Sequence, residues 1–375
     1  MNRTARFACG LLPLLLACST DGPSEPATPQ PSASEAQAGR MFATEELADP
    51  LAWRFPDVVA NDGNRFGDFL QLAREASAPH VIAASLQALA RQLERGAAMP
   101  DGAALGAVIE RDARARDARV AARALVLAKT ALRRRVPLST LPELLASLGD
   151  EPRFSDGAGR LALLDVIRAA ERPSQSVPMM SLLFDSVAAK APYVESNALQ
   201  TLAQFAPQIS DRPRLLACGL IALEDDDAGV RGRGLDLLGA TWRGYDPSII
   251  SAVYERLDDP SPHVRSKACL ALARMKYAPA IHRIVDLLGD ASINSYGYDE
   301  MPALEGGPSK QVLTGSPWGS VQDAAVLALH TLAGDSLDLI RVTPENAPKD
   351  IAHNAALTRA WYQRERAGLP RDVPL

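Results

Sequence analysis

Aromatic, histidine and cysteine side chains are scarce in this 375-residue chain: Phe, Trp and Tyr make up 5% of it, beside five histidines and four cysteines. Alternating apolar and polar runs of the kind that build strands are nearly absent, which excludes sandwiches and barrels. No apolar run reaches the roughly 20 residues of a membrane-spanning helix. No G-x-S-x-G elbow, phosphate loop or H-E-x-x-H helix occurs, so the common hydrolase, nucleotide and zinc signatures are missing. The histidines stand far apart and none is followed by glutamate. They offer no metal site, and no cofactor is expected. A net charge of −5 gives no reason to expect nucleic acid.

What is present begins with "LLPLLLACST". Arg3 and Arg6 precede an apolar stretch from Phe7 to Leu16 that is too short to span a bilayer, and the small Ala17 follows; this is the layout of a secretory signal peptide. Leu15, Leu16, Ala17 and Cys18 resemble the lipobox of bacterial lipoproteins. The resemblance implies cleavage before Cys18, acylation of its thiol and amino group, and a membrane anchor of several acyl chains. Ser19 stands where an aspartate favours inner-membrane retention in such proteins, which implies the outer membrane rather than the inner. Residues 18–45 are rich in Pro, Ser and Ala without apolar periodicity, and read as a disordered tether. Two cysteines remain in the folded part, Cys218 and Cys269. Both lie within apolar helical patterns and read as buried free thiols, with a disulfide as the alternative.

Alanine and leucine dominate the rest, and a repeat organises them. "LEDDDAGVRGRGLDLLGATW" and "LDDPSPHVRSKACLALARM" superpose without a gap, with Val230 on Val264 and Arg231 on Arg265, at a period of 34. Val264, Ala268, Ala271, Leu272 and Met275 mark one helix face. The same face recurs from Val321, Val194 and Val120, and loosely from Val81 and Gly159, predicting seven units. Each clear unit has a preceding helix, with starts marked by Asp246-Pro247, Pro279 and Pro142. Helix, turn and helix repeated every 34 to 39 residues predict an all-α protein, an α-solenoid of about seven hairpins.

The Asp225 to Arg231 and Asp259 to Arg265 segments resemble the signature of HEAT repeats, closest to the short kind named after phycobilisome lyases. That resemblance implies a ladder of aspartates and arginines along the stack. Glu195 and Gln322 interrupt it here, so the ladder is expected to be broken and to behave as weak surface pairs. The expected layout is signal peptide 1–17, tether 18–45, solenoid 46–345 and a capping helix with tail 346–375. Trp53, Phe55, Phe66 and Phe69 read as an N-terminal cover over residues 46–75.

Three segments invite functional readings. Glu224 to Asp227 form an acidic cluster that could suggest calcium but that helix capping and the helix dipole explain, and no metal is expected there. Arg114, Arg116, Arg119, Arg123, Arg133, Arg134 and Arg135 concentrate charge in one segment, read as a solvated helix with an anionic envelope partner as the alternative. An insertion at about 291–319 breaks the repeat frame and carries Tyr296, Tyr298, Met301 and Trp318, residue types common in interfaces, with an inert or self-packing insertion as the alternative. Second helices of the repeats are expected to line a concave surface presenting Glu195, Asn197, Gln200, Arg231, Arg233, Arg265 and Lys267. The reading is a lipid-anchored, non-catalytic interaction scaffold of the cell envelope, its protein partner unnamed and its oligomeric state unset. The rival is an enzyme, lyase or glycosylase-like, using the same concavity.

Overall fold

The structure is a computed structural model that describes residues 65–98, 102–155, 157–242, 244, 246–293, 296–301, 310–314, 319–337, 339 and 347–371. Cys18, the tether, Trp53, Phe55 and Trp318 lie outside the described residues. Fifteen helices are described, and the first fourteen pair into seven hairpins. These are α1 (Phe66–Glu75) with α2 (Pro79–Glu94), α3 (Gly102–Ala113) with α4 (Ala118–Arg133), α5 (Leu141–Gly149) with α6 (Gly157–Ala169), and α7 (Val177–Ser186) with α8 (Pro192–Phe205). There follow α9 (Arg212–Leu223) with α10 (Ala228–Thr241), α11 (Pro247–Glu255) with α12 (Pro262–Arg274), and α13 (Ile281–Asp286) with α14 (Val321–Ala333). The last helix, α15 (Ala347–Glu365), packs on α14. Even-numbered helices stack closely on one another as one layer, termed inner, and odd-numbered helices form the second, termed outer. This is the expected α-solenoid. Phe66 and Phe69 are fully buried, but they belong to the first helix of a hairpin rather than to a separate cover.

The periodic residues do what their spacing requires. Val264, Ala268, Ala271, Leu272 and Met275 are buried between α12 and its neighbours, as are Val194, Ala198, Thr201, Leu202 and Phe205 on α8. Gly159 holds the equivalent place on α6 because a Cβ there would lie 2.0 Å from the Arg153 carbonyl oxygen of the preceding turn. Helix starts are set by side-chain caps: the Asp227 carboxylate accepts from Val230 N–H (2.9 Å), and Asp246 from Ser248 N–H (3.1 Å). Asp225 in turn accepts from Asp227 N–H (2.7 Å), so the acidic cluster caps a helix, and among the described residues no His, Cys, Asp and Glu group suits a metal. Cys218 and Cys269 are free thiols; complete burial pushes the Cys269 thiol up to about 12.

Two kinds of joint hold the hairpins together. Toward the N-terminus, arginines donate to carbonyls left open at helix C-termini. Arg111 reaches Ala73 and Arg74 (2.6 and 3.0 Å) at the end of α1, and Arg134 reaches Glu94 at the end of α2. Arg153 reaches Ala113 and Ala115 after α3. Part of the arginine-rich segment is thereby used within the fold. At the other end, Trp361 of α15 is buried and its Nε1 donates to Ser336 Oγ (3.2 Å). His282 bonds the Tyr362 hydroxyl through Nδ1 (2.9 Å) and the Pro370 carbonyl through Nε2 (2.7 Å). Because a carbonyl can only accept, Nε2 carries the proton, and the ring serves as a structural tie.

The insertion holds the strands of the described residues, β1 (Tyr296–Met301) antiparallel to β2 (Lys310–Thr314). Its base is clamped. Ile293 bridges Ser320, Val321 N–H donates to the Ser292 carbonyl (3.0 Å), and Gln322 N–H donates to that of Asp290 (2.8 Å). The chain therefore leaves and re-enters the solenoid at one point, and β1 reaches α10, two hairpins back along the stack.

Candidate functional site

Two polar systems, one along the turns of the last three hairpins and one along α4 to α12, separate residues that sequence alone places on one surface. The first follows the turns between paired helices. Arg231 donates through Nε and Nη2 to the two carboxylate oxygens of Asp259, both at 2.9 Å, and through Nη1 to the carbonyls of Asp225 and Asp226, again at 2.9 Å. One turn later Arg265 repeats the pattern, with Nε and Nη2 to Asp290 Oδ2 (2.9 and 2.7 Å) and Nη1 to the Asp259 and Pro260 carbonyls (2.8 and 3.1 Å). Each arginine thus ties its own turn to the aspartate of the next hairpin. The side chains of Arg231 and Asp259 are only 12% and 2% exposed.

This corrects one expectation. The ladder has two consecutive rungs that are largely removed from water, not weak surface pairs. Arg231 and Arg265, expected to contact a partner, have their guanidiniums engaged inside the fold. The interruptions fall where they were read. Gln322 donates to the Leu288 carbonyl (2.6 Å) instead of to an acid. Glu195, buried at the arginine position of α8, puts a carboxyl against that of Asp225; burial first and the Asp225 charge second push it above the ordinary carboxylate range, with N–H groups of Ala191 and Lys190 opposing.

The second system is a seam on the inner layer. Lys129 of α4 pairs with Asp165 of α6 (2.7 Å). Arg168, a turn further on, donates to Asn197 Oδ1 (2.9 Å) and Thr201 Oγ1 (3.2 Å) of α8. On α10, Asp236 receives Arg233 (3.2 Å) of its own helix together with Lys267 (2.7 Å) and Arg274 (3.1 Å) of α12. Burial alone would raise the Asp236 value; Lys267, then Arg233 and Arg274, outweigh it and hold the carboxyl below its usual range. Arg168 is lowered, by burial first and by nearby Arg233 in addition, with Asp165 offsetting part. Arg233 and Lys267 thus keep their place on the expected inner surface, joined by Lys129, Arg168 and Arg274. Those three were not picked out for it from the sequence. Their partners lie 29 to 38 residues away, a distance over which spacing alone does not specify contact.

Gln200 and Asn197 are half-buried on α8, while Val126 and Leu327 are exposed on α4 and α14. Tyr296, Tyr298 and Met301 fall on β1.

The family model for HEAT repeats matches residues 219–294. That stretch runs from within α9 to the start of the insertion and contains both rungs of the ladder. No curated protein matches the chain. Among solved structures, a crystal structure of a Kap121p mutant is 14% identical with a TM-score of 0.39, over 80% of this chain and 38% of that one. The chain thus spans well under half the length of that structure. No described helix is long and apolar enough to cross a membrane.

Proposed function

We propose that the protein is a non-catalytic scaffold of the bacterial cell envelope, anchored by lipid at Cys18, whose inner helical layer holds a partner protein. The observation that carries the reading is the seam: polar side chains from five successive inner helices are distributed from Lys129 to Arg274 along the stack instead of converging on a point where a reaction would be run. Tyr296, Tyr298, Met301 and Trp318 of the insertion supply further contacts in this reading, which the approach of β1 to α10 supports.

Photo-crosslinking groups at Gln200 and Leu327 on inner helices should capture a partner in cells, and one at the exposed Ile221 of α9 should not. Capture from Ile221 alone, or from none of the three, refutes the inner surface as the site. Anchoring is tested separately. Cys18→Ser should abolish both the acyl mass and fractionation with membranes, and unchanged fractionation refutes it.

A further inference from the structure

The inner layer is basic although the chain as a whole is acidic. Helices α4, α6, α8, α10 and α12 carry eleven Lys and Arg, two of them (Arg231 and Arg265) paired with turn aspartates in the ladder, against three acids, Asp165, Glu195 and Asp236. The outer helices between them, α3, α5, α7, α9 and α11, carry three against five. The chain's net charge is −5. Resting on the scaffold reading above, we infer that the seam from Lys129 to Arg274 binds an extended acidic segment of a partner protein.

Geometry and charge both support this occupant. Within the seam, five cations face two carboxylates, and Asp236 alone is shared by three of them. Arg168 and Arg233 lie close enough to oppose each other's charge, so an incoming anion relieves an interaction already present. Solvent reaches the two ends of the seam best: Arg274 is 51% exposed, Lys129 26% and Arg168 28%, while Arg233 and Lys267 are 18% exposed around Asp236. Packed helices are spaced about 8–10 Å apart, and a polyproline II chain advances about 9 Å per three-residue turn. An acid at every third residue therefore advances by one inner helix per turn, meeting cations on α4, α6, α10 and α12 and the amide and hydroxyl groups of Asn197 and Thr201 on α8. A flat bilayer or a stiff duplex would have to follow a strip lined by stacked helices, whereas a single extended chain lies along it.

The test uses the full chain and labelled peptides of about twelve residues, enough for four polyproline II turns, repeating Glu-Pro-Pro or Lys-Pro-Pro. The glutamate peptide should bind, more weakly as salt rises, and the lysine peptide should not. Arg274→Ala and Lys267→Ala should each weaken binding about two- to fivefold, the range of an exposed ion pair. Arg212→Ala on the outer α9 should leave it unchanged. Arg274 is half exposed, so its loss keeps the test valid if Lys267→Ala disturbs the fold. Absence of binding, equal binding of both peptides, indifference to Arg274→Ala, or displacement of the peptide by duplex DNA or phosphatidylglycerol vesicles overturns the inference. Crosslinking from Gln200 that persists when the peptide fails would leave the scaffold standing and remove only its acidic partner.

Discussion

Replacing Asp259 by alanine isolates the energy of one ladder rung, because the fold contains its own control. Asp259 does two things: it accepts Ser261 N–H (2.9 Å) at the start of its turn, and it neutralises Arg231. Asp225 performs the first task in the previous hairpin, toward Asp227 N–H, but faces Glu195 instead of an arginine. Asp259→Ala leaves two guanidinium nitrogens without acceptors in a place where the arginine is 12% exposed. Breaking a buried pair costs about 3–5 kcal/mol. Residual water access and the retained carbonyl bonds from Nη1 put the expected cost near the lower end, about 3 kcal/mol, with the lost turn contact included. Asp225→Ala loses the turn contact, its hydrogen bond with Glu195 and a weak attraction to Arg231, but it relieves a carboxyl–carboxyl approach and leaves no buried guanidinium without its acid, so it should cost about 1 kcal/mol or less.

Stacked repeats can open hairpin by hairpin, so a global midpoint can conceal a local loss. Hydrogen exchange of the α10 and α12 amides, read beside urea unfolding, measures the junction directly. Arg231→Met combined with Asp259→Ala should recover part of the loss, because no charge is left buried. Equal costs for Asp259→Ala and Asp225→Ala, or a cost below about 1 kcal/mol for the former, would mean that the rung is solvated like an ordinary surface pair and that the burial argument is wrong.

Gly159→Ala should destabilise by about 3 kcal/mol, an overpacking cost, because its Cβ meets main chain at 2.0 Å; Gly67→Ala, with open space around it, should stabilise by about 0.5–1 kcal/mol, and melting temperatures that move alike would refute the assigned packing. Val264→Asp places a carboxylate at a site with no exposure and should lower the melting temperature far more than Arg212→Asp on the outer helix; equal shifts would mean that the buried face is misassigned. Glu195 binds its proton more tightly folded than unfolded, so its stabilising contribution is complete below the ordinary value of 4.5 and is lost as pH rises through the raised folded value. Glu195→Gln should flatten that decline and melt higher than the parent at neutral pH; identical melting profiles against pH would refute the carboxyl contact.

The solenoid was legible because its signal is local. Apolar residues at i, i+4, i+7 and i+8 define a face within a single helix, and an aspartate before proline defines its start, so seven second helices could be read without knowing what they touch. Contacts between hairpins were not legible in the same way. Asp259 and Arg265, neighbours in one repeat, suggest a pair, yet the Asp259 carboxylate goes to Arg231 and Arg265 takes only its carbonyl, because the stagger of the stack brings the earlier arginine over the later turn. The Asp236 cluster escaped for the same reason, its cations coming from two helices. The hairpin β1–β2 was unmarked since "YGYDEM" and "KQVLT" are too short and mixed to show a period. Phe66 and Phe69 misled by composition: an aromatic cluster ahead of the clear repeats resembles a cover, but their burial comes from pairing with α2.

The strongest sequence signal coincides with the helix least able to form alone, and this shows what the periodicity encodes. α10 has glycine at 229, 232, 234 and 239, and an interior glycine costs about 1 kcal/mol relative to alanine. The reason for keeping them is contact distance. A Cβ at Gly232 would lie 2.5 Å from the His263 ring, and one at Gly234 would lie 2.9 Å from both Ala222 Cβ and the Gly219 carbonyl oxygen, so larger residues would push α9 and α12 away. Close stacking on both sides is what offsets the lost propensity. It also explains why α10 carries Val230 and Leu237 into one apolar cluster and Leu235 and Leu238 into the next. A helix in that position has to be fixed by its neighbours rather than by its own backbone. It holds Arg231 of the first ladder rung and Asp236 of the three-cation cluster, and both bind it to α12 or to the turn before α12. The 34-residue period thus marks a junction where glycine spacing and charge pairing act together, and hydrogen exchange in the Asp259→Ala protein should spread from α12 into α10 before it reaches α8.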